Sequence, residues 1–279
     1  MRRGLIVGLA VLAAMASPAG ATTVHRQDFT CPVGGERFED DVIGSYTNWG
    51  SRPDGRPYGT LAWVPLPECP GNGFLLFQEE FTPQEIAILT PLVESAEYQA
   101  MRTVETQHYR AWWLRRALGS PEAASLADTL LVASWQSDAE PARKARYQRA
   151  FVAAADAVRL NDPAWLILTL RAANARRELG DFAGAAAVLG TAQIARSTWP
   201  EGGEERNDMQ AYAADLAALI AEGNVAAEPV SMIPRENGAE RCAGKQSALF
   251  PSERKLCATA PYLAALAAWR AQQKHARAK

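Results

Sequence analysis

The amino-acid sequence predicts a mainly α fold in which a short helical array follows a small β-rich N-terminal unit. Residues 22–81 are rich in glycine and proline, and their apolar residues do not recur at helical spacing. After residue 81, alanine becomes abundant, and Thr-Pro, Ser-Pro and Asp-Pro helix starts recur. The chain of 279 residues is long enough for one or two domains with a sizeable core.

The first 21 residues have the pattern of a secretory signal peptide. Arg2 and Arg3 precede an apolar run at residues 5–15, which is too short to span a bilayer as a helix. Ala19 and Ala21 form an A-x-A site, so we expect cleavage after Ala21. We therefore expect a periplasmic or secreted protein, with no transmembrane segment in the mature chain.

Four cysteines in an exported chain indicate disulfides before they indicate metal ligands. Four cysteines allow three pairings. We favour Cys31 with Cys69 and Cys242 with Cys257, because each bond then closes a loop within one local unit.

Within the β-rich unit, the short apolar segments at 60–64 and 74–77 are predicted to be strands. The helical part begins at Thr82, because Thr82, Pro83 and Glu85 form a capping box with proline at the first helical position. Residues 223–260 lack clear patterning. We place helices at 83–89, 91–118, 121–136, 141–160, 163–179, 182–197, 204–222 and 261–276.

Two stretches resemble tetratricopeptide repeats. Residues 151–165 resemble the end of one repeat unit and the start of the next, and Gly180, Asp181, Phe182 and Ala185 match the internal G-D-[YF]-x-x-A turn. Glycine permits the tight turn and small alanines allow the helices to approach closely. The complete signature occurs once, so we expect a short array of two or three helix pairs.

The sequences CPVGGERF (31–38) and CPGNGF (69–74) each match half of a C-P-x-C-G metal knuckle. Asp54, Pro57 and Tyr58 form a D-x-x-P-Y motif between them. Together with the later helices, they resemble an uncharacterised bacterial family of unknown function, whose members look like zinc-ribbon proteins with helical repeats. The resemblance implies an architecture, and it has no activity to transfer.

The missing half of each knuckle distinguishes this chain from that family. Gly34 and Asn72 occupy the positions of the absent cysteines, and a structural zinc site requires four ligands. The two knuckles of a ribbon face each other, so the resemblance implies that Cys31 and Cys69 are close enough to form a disulfide that replaces the metal. Gly34 and Asn72 are expected in turns with positive φ.

The chain contains none of the common catalytic motifs: no G-x-S-x-G elbow, H-E-x-x-H pair or phosphate loop is present. No cofactor or metal is predicted. His108 is a conceivable general base. Its helical spacing with Met101, Val104 and Trp112 favours a packed histidine instead.

The helix around residues 108–116 has an unusual concentration of aromatic and basic residues. We favour a central helix buried on both sides. The alternative is a groove for a glycan, peptide or anionic polymer, in which rings stack and guanidinium groups supply charge. The predicted ligand-binding residues are Tyr109, Arg110, Trp113 and Arg116.

The predicted organisation has four parts: a signal peptide (1–21), a degenerate zinc-ribbon-like unit (22–81), a tetratricopeptide-like domain (82–222) and a disulfide-containing C-terminal segment with a final helix (223–279). The formal net charge is −2, and we expect no nucleic-acid partner. We predict a non-catalytic binding or scaffold protein that holds a peptide or protein partner in its helical groove. The alternative is a cell-envelope hydrolase.

Overall fold

The computed structural model describes residues 22–119, 122–195 and 199–277. Within these ranges it contains eleven α-helices and four β-strands, so the predicted mainly α fold with a small strand-rich N-terminal part is confirmed. The predicted signal peptide, residues 1–21, lies outside the described residues. None of the helices within the described ranges has the length and apolar character needed to cross a membrane.

Two antiparallel hairpins make up the strand-rich part. The first joins strand β1 (Thr23–Thr30) to strand β2 (Arg37–Ser45), and most of its side chains are exposed. The second joins strand β3 (Asn48–Ser51) to strand β4 (Pro57–Gly59). The two hairpins belong to separate two-stranded sheets.

The two predicted strands of the β-rich unit are wrong. Residues 60–64 have no strand structure, and within 74–77 only Leu75 forms a bridge, with Glu68. The apolar residues in these segments pack as loop residues against helices. The strands instead form in segments of mixed polar composition, where an exposed hairpin needs no apolar run.

The first helix begins as predicted. In helix α1 (Pro83–Glu94), the Thr82 hydroxyl accepts the Glu85 N–H, and the Glu85 carboxylate accepts the Thr82 N–H. The predicted end at residue 89 is wrong, because Pro91 lies inside α1. The Thr90 hydroxyl donates to the carbonyl of Ile86, so Thr90 stabilises the turn that precedes the proline rather than starting a new helix.

The predicted helix at 91–118 is divided between α1 and two further helices. Helices α2 (Ala96–Val104) and α3 (Gln107–Arg115) each begin at a hydroxyl cap. The Ser95 side chain caps α2, and the Thr106 side chain caps α3. A side-chain cap competes with the continuing helix, which explains both breaks.

The next five helices form an array that agrees with the predicted repeat architecture. Gly180 has a φ of +81°, and the Asp181 carboxylate caps the following helix by accepting the Gly184 N–H. Ala185 is fully buried in this turn. Helix α6 contacts both α4 and α8, while α5 packs against α4 and α6, and α7 packs against α6 and α8. Their bounds are Ala123–Trp135 (α4), Pro141–Ala155 (α5), Trp165–Glu178 (α6), Phe182–Ile194 (α7) and Gly203–Glu222 (α8).

The C-terminal segment has more helix than its sequence pattern indicates. Helices α9 (Arg235–Ala243) and α10 (Pro251–Cys257) lie in the stretch without predicted structure. The final helix, α11 (Ala260–Arg277), agrees with the prediction. The Cys242–Cys257 disulfide joins α9 to α10 with a Cα–Cα distance of 5.6 Å, and α11 packs mainly on α9.

The hydrophobic core around the Cys31–Cys69 bond extends into the first three helices. Leu89 of α1, Tyr98 of α2 and Leu114 of α3 belong to the same buried cluster as the two cysteines. The boundary predicted at residue 81 therefore falls inside one core. A second cluster lies among α4–α8, and a small third cluster surrounds the C-terminal disulfide.

Candidate functional site

The two half-knuckles have the same backbone geometry. Cys31 donates its N–H to Glu36 and accepts the N–H of Gly35, and Cys69 makes the equivalent bonds with Phe74 and Gly73. The Cys31–Cys69 disulfide forms as predicted, with a Cα–Cα distance of 5.8 Å, and both residues are buried. The loops therefore face each other as the halves of a ribbon would.

The residues at the missing ligand positions have different roles. Gly34 has the predicted positive φ, +90°, but the prediction for Asn72 is wrong, because Gly73 has the positive φ in the second loop. The Asn72 side chain donates to the Val33 carbonyl at 2.8 Å and accepts the Phe74 N–H at 2.9 Å. A Cβ atom at Gly34 would lie 3.5 Å from the Asn72 amide nitrogen, so the two positions are adjacent.

The chemistry of these loops is that of a structural crosslink. Within the described ranges, no group of three or more His, Cys, Asp or Glu residues could hold a metal ion. The two loops are joined instead by the Cys31–Cys69 disulfide and by the Asn72 side-chain amide, which forms hydrogen bonds as both a donor and an acceptor. The N-terminal unit is therefore crosslinked by the disulfide and the Asn72 hydrogen bonds.

Two of the predicted ligand-binding residues are inaccessible, which corrects the groove interpretation for them. The side chain of Arg110 is buried because it donates to Glu68 at 2.7 Å and to the Gly73 carbonyl at 3.3 Å. Trp113 is only 8% exposed and packs beside Tyr98 in the core of the disulfide unit. Both residues agree with the favoured interpretation, in which the helix is buried by its neighbours.

The other two predicted ligand-binding residues are less buried. Tyr109 is half-buried and stacks on Tyr147, with ring centroids 4.4 Å apart. Arg116 is exposed and lies over the rings of Trp112 and Trp113. The four residues therefore do not converge on one open surface.

The segment that contains the second hairpin packs against α6, α8 and the end of α4. We call residues 46–66 the strap. Its Arg52 forms ion pairs with Asp54 at 2.6 Å and with Asp138, just after α4, at 2.7 Å. The hydroxyl of Tyr212, on α8, donates to the Pro53 carbonyl at 2.7 Å. These contacts bury Arg52, Pro53 and Asp54 against the helical array.

The ion pairs of the strap favour the charged forms of Arg52 and Asp138. Burial alone would lower the pKa of Arg52, but Asp54 and Asp138 outweigh it and raise that pKa. Burial alone would raise the pKa of Asp138, but Arg52 and Lys144 outweigh it and lower that pKa. The strap is therefore fixed by charges that persist at neutral pH.

The close fit of the strap depends on a glycine. Gly55 has a φ of +86°, and a Cβ atom there would lie 2.6 Å from the guanidinium group of Arg171, on α6. The backbone conformation therefore favours glycine, and a larger residue would also displace the Arg171 guanidinium group.

A cleft of about 560 Å³ lies between the strap and helices α3 and α4. This volume is within the range of ordinary ligand sites. Three aromatic side chains line it, together with aliphatic groups and a few polar ones. Its lining includes Tyr46, Trp63, Val64, His108, Asp128 and Trp135.

Two polar atoms of the cleft walls lack hydrogen bonds. Trp135 is 9% exposed, and its indole nitrogen is covered by protein without an acceptor in the described residues. The Nδ1 atom of His108 is likewise covered and unpartnered there. Burial lowers the pKa of His108 to about 4, so this imidazole is neutral at neutral pH.

The acidic residue of the cleft does not complete a catalytic pair. Partial removal from water by the surrounding protein raises the pKa of Asp128, although its side chain keeps an exposed edge. Ser51 also lines the cleft. Within the described residues, no hydrogen bond joins His108 to Asp128 or to Ser51, so the site lacks a nucleophile held against a base.

Comparison of this chain with protein-family models, with curated proteins and with solved structures gives no match. The resemblance to a zinc-ribbon family therefore stays a prediction based on the half-knuckles.

Proposed function

We propose that this chain is an exported, non-catalytic binding protein whose peptide or protein partner enters the cleft between the strap and helices α3 and α4. This places the partner beside the strap, whose residues Arg52, Pro53 and Asp54 pack against the helical array.

The observation that carries this proposal is the exposure of large apolar side chains at the cleft. Tyr46 is 44% exposed and Val64 is 43% exposed, and both line the cleft. Trp49, on the same strap, is 55% exposed. Large apolar groups held in water on a rigid scaffold are characteristic of interaction sites.

A hydrolase is the less favoured alternative. General base catalysis requires a proton acceptor within hydrogen-bonding reach of its target and with a pKa near the working pH. Burial gives His108 a pKa of about 4, which makes it a weak base, and no described carboxylate orients it. These observations favour binding over catalysis.

Export is supported by the N-terminal sequence pattern and by the two disulfides. Both disulfides are intact in the structure, and such bonds persist in oxidising compartments. N-terminal sequencing of the protein recovered from the envelope or medium should begin at or near Thr22. An uncleaved Met1 on the cytoplasmic protein would contradict export without affecting the cleft.

Site-specific photo-crosslinking tests the binding proposal. A photoreactive amino acid replaces Val64 at the cleft, and in a matched control it replaces Leu160, which is an aliphatic residue 52% exposed outside the cleft. In intact cells, we expect a discrete crosslinked product from position 64 that Trp63→Ala weakens. The same products from both positions, or none from position 64, would contradict the proposal.

A further inference from the structure

The first hairpin has two open edges, because β1 and β2 pair only with each other among the described strands. We propose that β1 pairs antiparallel with the β1 strand of a second copy of this chain, with a two-fold axis at Gln27. The two hairpins then form one four-stranded sheet. This surface is separate from the cleft, and the inference does not depend on the proposed function.

The backbone of β1 has hydrogen-bonding groups available for this pairing. Just after the strand, the Cys31 N–H donates to the Glu36 carbonyl, which belongs to the β2 side of the hairpin. Backbone groups alternate between the two sides of a strand, so those of His25, Gln27 and Phe29 also bond to β2. Such a row of outward groups is a template for another strand. The residues of β1 that direct their backbone groups outward are Val24, Arg26, Asp28 and Thr30.

The charges of β1 select one register for two copies. In an antiparallel pair, the residues that exchange hydrogen bonds must be those with outward backbone groups. With Gln27 on the axis, Arg26 of each copy lies directly opposite Asp28 of the other. Moving the axis by one residue puts Arg26 opposite itself or Asp28 opposite itself. Opposite charges stabilise such cross-strand pairs and like charges destabilise them, so the register centred on Gln27 is favoured.

Asp28 needs the cation that a second copy would supply. It is exposed, and it lies directly opposite another acidic residue, Glu39, in the hairpin. The nearby Arg26 forms its ion pairs with Glu39, at 3.0 Å, and with Asp41, at 3.4 Å. Within the described residues Asp28 therefore has no ion-pair partner, and Arg26 of a second copy offsets the repulsion from Glu39.

The opposite face of the hairpin also matches in this register. Phe29 stacks on Phe38, with ring centroids 5.4 Å apart, and stays partly exposed. With Gln27 on the axis, His25 of the second copy lies opposite Phe29 and extends this stack by one ring. The two Gln27 side chains meet at the axis, where each amide has both a donor and an acceptor for the other.

The outer edge of β2 does not complement itself in this way. With Asp40 on the axis, Glu39 would lie opposite Asp41 of the second copy. Moving that axis by one residue puts Glu39 opposite itself or Asp41 opposite itself. Every central register of β2 therefore pairs two acidic residues, so the charges favour β1. The outward residues of β2 are Arg37, Glu39, Asp41 and Ile43.

A cysteine at the axis tests the register directly. The two Gln27 residues form a pair without hydrogen bonds, in which Cα atoms lie about 4.5 Å apart, a distance that suits a disulfide. The four native cysteines are already paired. Under mild oxidation, we expect Gln27→Cys to form a covalent dimer and Asp41→Cys, an exposed position on β2, to stay monomeric. Equal crosslinking of both variants, or none with Gln27→Cys, overturns the inference.

Charge reversal supplies a second test, measured by sedimentation equilibrium from micromolar to millimolar protein. The interface is small, so we expect a weak, reversible dimer. Asp28→Arg opposes Arg26 of the second copy but gives Glu39 a cation within the hairpin, so the hairpin is retained. We expect it to weaken association at least ten-fold.

The matched variants separate the proposed contact from net charge. Adding Arg26→Asp to Asp28→Arg restores the opposite-charge pair and should recover the dimer. Asp40→Arg makes the same charge change on the other face of β2 and should leave association unchanged. The inference is overturned if the natural chain stays monomeric at millimolar concentration or if Asp28→Arg has no effect. Assemblies that grow beyond two copies would instead indicate head-to-tail pairing of β1 with β2, which also overturns it.

Discussion

The side-chain amide of Asn72 donates a 2.8 Å hydrogen bond to the carbonyl oxygen of Val33 and thereby joins the two knuckle loops beside their disulfide. The oxygen of the same amide accepts the Phe74 N–H. The Asn72 side chain thus holds together the two loops that the disulfide also joins.

We expect Asn72→Ala to lower the free energy of unfolding by about 1–3 kcal/mol, because it leaves the Val33 carbonyl and the Phe74 N–H without partners. Urea denaturation of the purified protein measures this. Asn161→Ala is the control, since Asn161 is exposed and its side chain forms no hydrogen bond with the described residues. Equal stability of the two variants would show that the amide bridge contributes nothing.

The ion pair between Arg52 and Asp54 predicts that substitutions of the two residues have non-additive effects on the free energy of unfolding. Arg52→Met leaves the carboxylate of Asp54 buried and unpaired, so we expect a loss of about 3–5 kcal/mol in the free energy of unfolding. Adding Asp54→Leu removes that charge and should recover part of the loss. Arg26→Met removes an exposed pair with Glu39 and should change little. If the double variant lost the sum of the free energies lost by Arg52→Met and Asp54→Leu alone, the two side chains would not be energetically coupled.

His108 predicts a specific pH dependence. Its folded-state pKa of about 4 lies below the ordinary value of 6.5, so the unfolded chain binds a proton first as the pH falls. The free energy of unfolding should therefore decline between pH 6.5 and 4, by on the order of 3 kcal/mol at most.

The variant His108→Gln should flatten this decline, whereas the exposed His25→Gln should preserve it. Urea titrations at pH 6.5 and pH 4.5 supply the comparison. An unchanged slope in His108→Gln would mean that another group is responsible for the pH dependence.

The C-terminal disulfide closes a loop with a sequence separation of 15 residues. Its removal by Cys242→Ser and Cys257→Ser should destabilise this segment by about 3 kcal/mol in the chain-entropy model. Because the segment has its own small core, we expect faster hydrogen exchange in α9–α11 and little change in α4–α7. Faster exchange spread evenly over both regions would contradict a separate local unit.

Local signals in the sequence predicted local structure well. The Thr82–Glu85 capping box, the Gly180–Asp181 turn and the pairing of the four cysteines all agree with the structure. Each depends on residues that contact each other within one turn or one unit. The sequence contains enough information for such features, because the interacting groups and their spacing are both visible in it.

The site itself depends on contacts that sequence spacing does not reveal. The strap has the composition of an exposed loop, yet Arg52 reaches Asp138, 86 residues later, and Pro53 reaches Tyr212, 159 residues later. Arg110 is similarly buried by a pairing with Glu68, 42 residues earlier. A buried arginine and an exposed one look identical in a sequence, so the sequence does not show that Arg110 is inaccessible.

Binding of the partner in the cleft is tested most directly by calorimetry. The partner identified by crosslinking at position 64 is titrated against two variants, and its affinity for each is measured. Val64→Arg and Leu160→Arg both add a charge at an exposed aliphatic position, but only Val64 lines the cleft. We predict at least a ten-fold loss of affinity, about 1.4 kcal/mol, for Val64→Arg alone. Equal affinities for the two variants would contradict the claim.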